Sequence, residues 1–138
     1  MKNLVVLFIC LMLISCEVEE ATPTTPVGDT FMTDKATLVR SGTIMGVNHT
    51  VSGTATLYEL NGEYTLVLDP FQSQNGPDLK VYFSKDVGAN NFLRLGNLKS
   101  TTGKQSYPIP DSAMQTDYPY FHVWCGQFSV EFARAELK

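Results

Sequence analysis

The dipeptide Asn61-Gly62 constrains this chain more than any other feature, because it sits between two stretches whose apolar residues alternate. Asn and Gly tolerate the positive φ angles of a type I′ turn, whose twist matches that of the strands it joins. Closing residues 54–68 around it pairs Leu60 with Glu63, Leu57 with Leu66 and Ala55 with Leu68. One face of the hairpin is then consistently apolar, and a slip of one residue would turn that face to water. Short runs of the same period recur at 37–45, 79–83, 92–98 and 105–109, separated by Gly, Pro, Asn and Asp. From Phe31 onward no stretch keeps a helical period. The pattern predicts an all-β chain, an antiparallel β-sandwich of about seven or eight strands.

A second hairpin is expected at the C-terminus. Gly126-Gln127 suits a two-residue type II′ turn, with Gly first. Cys125 then faces Phe128, Val123 faces Val130 and Phe121 faces Phe132, which makes an apolar core face. The other face carries Tyr118, Tyr120, His122 and Trp124, opposite Ser129 and Glu131. Ala135 and Leu137 fall out of phase with this register, and a bulge near Ala133 repairs it.

The first residues read as an address. Lys2 is followed by an apolar run from Leu4 to Ile14 and then by Ser15 and Cys16. A positive charge, a short apolar stretch and a small residue at the cut describe a secretory signal. Leu13-Ile14-Ser15-Cys16 resembles a bacterial lipobox, which implies a signal peptide over 1–15 and an acylated Cys16 carrying palmitate-type chains as the membrane anchor. Each buried methylene contributes about 0.8 kcal/mol, so several chains on one residue anchor stably. The acidic run Glu17-Val18-Glu19-Glu20 resembles a surface-export signal, and the Pro- and Thr-rich segment after it reads as a flexible tether, giving 16–30 as tether and 31–138 as the folded domain. These signals place the chain in the cell envelope, at the outer membrane or surface of a Gram-negative bacterium.

Charge and composition narrow the function classes. The 10 Lys and Arg are scattered singly against 14 Asp and Glu, for a net charge of −4, which argues against nucleic acid as a partner. Phosphate-cradling Gly-rich loops, G-x-S-x-G, H-E-x-x-H and C-x-x-C are all absent. Once Cys10 leaves with the signal and Cys16 carries lipid, Cys125 has no cysteine partner in its own chain. A copper site could draw on Cys125, His49, His122 and Met45 or Met114, but Gly126 to Glu131 lack the His and Met that usually follow the cysteine of a blue-copper site. No metal ligand is therefore assigned, the sequence requires no cofactor, and copper and haem remain minor alternatives.

The chemistry-bearing residues each have a plain reading as well. Cys125 is either a redox thiol or a small buried hydrophobe. His49 reads as a loop histidine bonded to backbone, and Asp78 as a turn residue before a strand, with an acid or ligand near the thiol as its alternative. Tyr118, Tyr120, His122 and Trp124 make either a docking face for a sugar or protein or a second, partly buried sheet face.

Five spans in order carry a family resemblance: His49-Thr50-Val51-Ser52-Gly53, Gly76-Pro77-Asp78-Leu79-Lys80-Val81-Tyr82, Leu95-Gly96-Asn97-Leu98-Lys99, Gly103-Lys104-Gln105-Ser106-Tyr107-Pro108-Ile109-Pro110 and Trp124-Cys125-Gly126-Gln127-Phe128-Ser129-Val130. They resemble the DM-thirteen domain family over nearly all of 31–138. The resemblance implies a β-sandwich related to the DOMON domains and a role in electron transfer. It implies that Cys125, matching the family's single cysteine, is a free thiol or cofactor ligand, with His49 and Asp78 at positions typical of the family and His122 not. The expectation is a lipid-anchored accessory module for redox chemistry rather than a stand-alone enzyme, working with a redox partner protein. Its rival is a non-catalytic module that docks a glycan or protein.

Overall fold

A computed structural model describes residues 21–110 and 117–138; the expected signal peptide, Cys16 and Met114 lie outside them. Among the described residues eight strands form: β1 (Thr37–Gly46), β2 (Val51–Leu60), β3 (Glu63–Ser73), β4 (Leu79–Ser84), β5 (Phe92–Asn97), β6 (Gln105–Pro108), β7 (Tyr120–Cys125) and β8 (Val130–Glu136). All pair antiparallel in one sheet, ordered β5-β4-β7-β8-β1-β2-β3-β6. The sheet curls until its two edge strands, β5 and β6, come into contact. The two layers expected of a sandwich are thus opposite walls of one nearly closed sheet, which leaves little edge exposed.

The Asn61-Gly62 hairpin has the register that its alternation demands. Leu60 pairs with Glu63, Leu57 with Leu66 and Ala55 with Leu68. Asn61 and Gly62 take φ of 55° and 84°, the left-handed conformation that the turn requires. Ala55, Leu57, Leu66 and Leu68 are sealed inside with Val81, Phe83, Phe121 and Val123. Each such side chain contributes about 1.5–3 kcal/mol through the apolar surface it removes from water.

The C-terminal hairpin departs from expectation. Cys125 pairs with Val130, not Phe128, so the connection is the four-residue turn 126–129, with Ser129 at a φ of 52°. Phe128 sits on that turn and is 64% exposed. Trp124 faces Glu131 and Val123 faces Ala133, so Phe132 is the extra residue of a β-bulge. The bulge restores the phase: Ala133, Ala135 and Leu137 all point into the core.

One buried amide ties β6 to the loop that follows β5. Gln105 Oε1 accepts from the backbone N–H groups of Lys99 and Ser100 and from the Tyr107 hydroxyl, and Gln105 Nε2 donates to Ser100 O at 2.8 Å. Burial raises the Tyr107 phenol far above its ordinary pKa, so it stays a donor at all ordinary pH. This amide fixes residues 98–101, onto which the N-terminal segment docks.

The segment expected as a free tether does not run free from Ala21 onward. Ala21 forms an isolated β-bridge with Pro77, Asn75 donates to Thr22 O at 2.9 Å, and the Thr101 N–H donates to Pro23 O at 2.8 Å. The Asp29 carboxylate accepts from the Ser106 N–H and hydroxyl at 2.8 and 2.7 Å and from the Phe31 N–H at 3.1 Å. Pro and Thr deprive this segment of a helix or ladder of its own, but its carbonyls and Asp29 find donors along the barrel.

Burial alone would raise the Asp29 pKa, yet the hydrogen bonds from Ser106 and Phe31, with Lys104 nearby, outweigh it and hold the carboxyl below its ordinary value. The stabilisation is therefore complete above the unfolded value of 3.8 and is lost as pH falls through the lower folded value. Asp29→Ala is expected to lower the urea midpoint at pH 7, with the gap from the parent protein closing as the pH falls below 3.8. A gap that persists unchanged into acid would show that the carboxylate is not the source of the effect.

Candidate functional site

One end of the barrel gathers three of the sequence-selected residues. There β1, β3 and β7 end and β2, β4 and β8 begin, so loops 47–50, 74–78 and 126–129 meet. The Gln74 N–H donates to Thr50 O and the Thr50 N–H to Gln74 Oε1, both at 2.8 Å, which locks two of these loops together. The Gly126 N–H donates to Asp78 O at 2.9 Å and attaches the third.

Cys125 is the last residue of β7, and the alternation that sends Phe121 and Val123 inward sends its sulfur inward too. The residue is 0% exposed. Its Sγ–H donates to Pro77 O at 3.0 Å, and a bond of that polarity needs the proton on sulfur. The turn 76–78 therefore lies directly over the thiol.

Asp78 occupies the left-handed region at a φ of 56°, a conformation that a short polar side chain tolerates and that the reversal into β4 needs. Its carboxylate pairs with Lys80, which also donates to Asn97 Oδ1 at 2.9 Å. A Cβ at Gly126 would run into the Asp78 carboxylate, which would have to shift where the two turns cross. His49 accompanies the group at one remove. Its Nδ1 bonds to Val47 O at 2.8 Å, and its ring stacks on Phe132 with centroids 3.6 Å apart. Phe132 in turn packs against Gly76, where there is no room for a Cβ. His49, Phe132, Gly76, Pro77 and Cys125 thus form one contiguous wall, although neither the imidazole nor the Asp78 carboxylate bonds the sulfur.

In the aromatic row Tyr118, Tyr120 and Trp124 are half-buried. His122 is 0% exposed. Its Nε2 lies 2.7 Å from Ser84 Oγ and its Nδ1 lies 2.6 Å from Glu131 Oε1, while Ser84 Oγ donates to Asp86 O. Arg134 lies 3.5 Å from the other Glu131 oxygen. This chain of polar groups crosses β4, β7 and β8 on the outer side of the sheet, away from Cys125. Tyr118 packs against the core, and Lys85 lies over its ring. Trp124 instead joins a different stack: its ring lies 6.3 Å from Tyr82, which lies 4.3 Å from Phe92. Phe92, at the edge strand, is 51% exposed. Tyr82 and Phe92 lie on β4 and β5, and their cross-strand positions could be read only once the strand order was known.

The copper donor set does not form. Cys125 and His122 are on opposite faces of β7, both imidazole nitrogens of His122 are engaged, and Met45 is solvent-exposed. Among the described residues no group of three or more His, Cys, Asp or Glu is placed to hold a metal ion. An axial haem histidine would have to be His49, whose ring is covered by Phe132, or the fully engaged His122. Among the described residues neither histidine is placed for either group.

Comparison with family models matches residues 43–137 to the family described as Electron transfer DM13. No curated protein and no solved structure matches the chain.

Replacing Glu131 with Ala leaves Nδ1 of a sealed imidazole without a partner, and a loss of about 2–4 kcal/mol in urea unfolding is expected. The double replacement His122→Leu with Glu131→Leu removes both polar groups and is expected to be less destabilised than Glu131→Ala alone. Equal losses in the two proteins would count against a buried polar link at this position.

Proposed function

The chain belongs to the electron transfer DM13 family, and from that premise we propose that it is an accessory redox module, held at a membrane of the cell envelope through acylated Cys16, in which Cys125 changes oxidation state. The observation that carries this reading is the extent of the family match, which runs from within β1 to Leu137 and so takes in Cys125 and the loops around it. The anchor and the compartment rest on the N-terminal sequence signals.

A thiol without a cysteine partner in its own chain exchanges with a disulfide of another molecule. The Cys125 thiolate attacks one sulfur of that disulfide, a mixed disulfide forms, and the second sulfur leaves as thiolate; the proton that Cys125 held toward Pro77 passes to water. The partner's disulfide is reduced as Cys125 is oxidised. With Cys125 fully buried, exchange proceeds only when residues 76–78 move, so the module is slow and selective rather than a general thiol. The test is incubation of the folded protein with glutathione disulfide, read by intact mass. An adduct is expected on the parent protein and none on Cys125→Ala once Cys10 and Cys16 are both serine. If the parent forms an adduct only at urea concentrations that unfold it, Cys125 is a packing residue and the thiol-exchange reading fails.

A second reading is favoured by the stack Phe92–Tyr82–Trp124, which presents a half-exposed ring at the sheet edge beside the Arg94 guanidinium and the Asn97 amide. Such a face suits a glycan or protein partner, with stacking and hydrogen bonding side by side. Under this reading Phe92→Ala abolishes binding and Cys125→Ala leaves it intact. Trp124 fluorescence that stays unchanged on addition of glycans or envelope proteins would exclude a docking role for this face.

A further inference from the structure

The seal over Cys125 has two layers. The inner layer is the turn 76–78, whose Pro77 carbonyl accepts the thiol. The outer layer is the N-terminal segment 21–25, and it touches the inner layer directly. Ala21 bridges Pro77, and Asn75, one residue before the turn, donates to Thr22 O at 2.9 Å. On its far side the segment is held by the Thr101 N–H on Pro23 O and by Ser100 Oγ on Thr25 O, both at 2.8 Å. Thr22 is its one buried side chain, at 7% exposure.

From these contacts we infer that residues 21–25 are a strap that gates the Cys125 thiol: seated, the strap clamps the turn 76–78 over the sulfur, and lifted, it frees the turn to uncover it. Three features of the structure support a gate rather than a permanent cover. The strap is attached by a short seam of hydrogen bonds and one small buried side chain, whereas the barrel beneath is sealed by an apolar core, so the seam opens without the barrel. Ala21, Thr22 and Pro23 line a cavity with Asp78, Leu79, Asn97 and Leu98, which leaves space beside the turn. The turn itself is a single reversal, tied to the end of β7 by the Gly126 N–H on Asp78 O and to the sulfur through Pro77 O.

The strap lies outside the segment 43–137 that the family model matches. What the gate controls rests on the redox reading above; the existence of the gate does not. If Cys16 is the anchor, the strap follows it by only a few residues, and a pull on the anchor acts on the strap first.

The experiment is thiol labelling of the full chain in detergent, with Cys10→Ser and Cys16→Ser so that Cys125 is the sole thiol. The rate with a chromogenic disulfide reagent is followed from zero urea up to the unfolding transition. A gate predicts labelling whose urea dependence at low denaturant is much shallower than that of global unfolding. Asn75→Ala and Ser100→Ala, which each remove a strap hydrogen bond, are expected to raise the rate about tenfold. Thr56→Ala removes the 2.9 Å Ser41–Thr56 hydroxyl contact between β1 and β2, away from the seam, and is expected to leave the low-urea rate unchanged. Labelling that follows global unfolding alone, or accelerates equally in all three variants, overturns the gate.

The same proteins separate the two proposals. Gated labelling with no glutathione adduct sinks the redox reading and leaves the strap. An adduct that forms at a rate indifferent to Asn75→Ala and Ser100→Ala sinks the strap and leaves the redox reading.

Discussion

A single curled sheet has one inside, and every chemical property of this chain follows from which side of that sheet a residue falls on. Along β7 strict alternation sends Phe121, Val123 and Cys125 inward and Tyr120, His122 and Trp124 outward. The sulfur and the imidazole, three residues apart in sequence, therefore belong to separate environments divided by the backbone. Register shifts in the β1–β2, β2–β3, β4–β5 and β7–β8 pairings supply the curling that a near-closed sheet requires. At the last of these, Phe132 becomes the spare residue whose ring supports His49 and fills the space under Gly76.

Burial changes what a thiol can do more than any neighbour does. An exposed cysteine reacts at a rate set by its thiolate fraction, whereas a sealed one reacts at a rate set by how often its cover opens. Here the cover is a peptide carbonyl that accepts the thiol proton, on a turn locked to β7 through the Gly126 N–H and to the N-terminal segment through Ala21. On the thiol-exchange reading proposed above, a sulfur with no exposed surface reacts on one condition: the turn must move as a unit smaller than the barrel.

The sequence made the first hairpin legible to the residue, because Asn61-Gly62 determines both turn type and register and leaves no alternative with a dry face. The second was legible only as a pair of strands. Gly126 suggested a tight turn, but Ser129 also takes the left-handed conformation and lengthens the loop to four residues, which ejects Phe128 and brings Val130 opposite Cys125. The need for a bulge was readable from the phase of Ala135 and Leu137; its position at Phe132 depended on the loop length. The sealing of His122 was unreadable for a different reason. Its partners Ser84 and Glu131 lie on the two strands that flank β7, and only the strand order β4-β7-β8 brings them together. Composition also misled over residues 21–30, where few apolar side chains suggested a free tether although the docking uses backbone carbonyls and one carboxylate.

The family match and the strap divide the molecule in an informative way. The matched segment begins at residue 43, partway along β1, and contains the strands that seal the core and the loops that enclose the sulfur. The segment before it reaches Pro77, from Ala21. Within the barrel the turn 76–78 covers the thiol, and the Asp78 carboxylate pairs with Lys80. A strap that hydrogen-bonds both the turn region and the 98–101 loop adds to the links the barrel itself makes between them, the Leu98 N–H on Leu79 O and the Ser73 N–H on Thr101 O. Access to the sulfur then depends on a segment that crosses no strand, so it can be altered without disturbing the sheet that keeps the thiol in place.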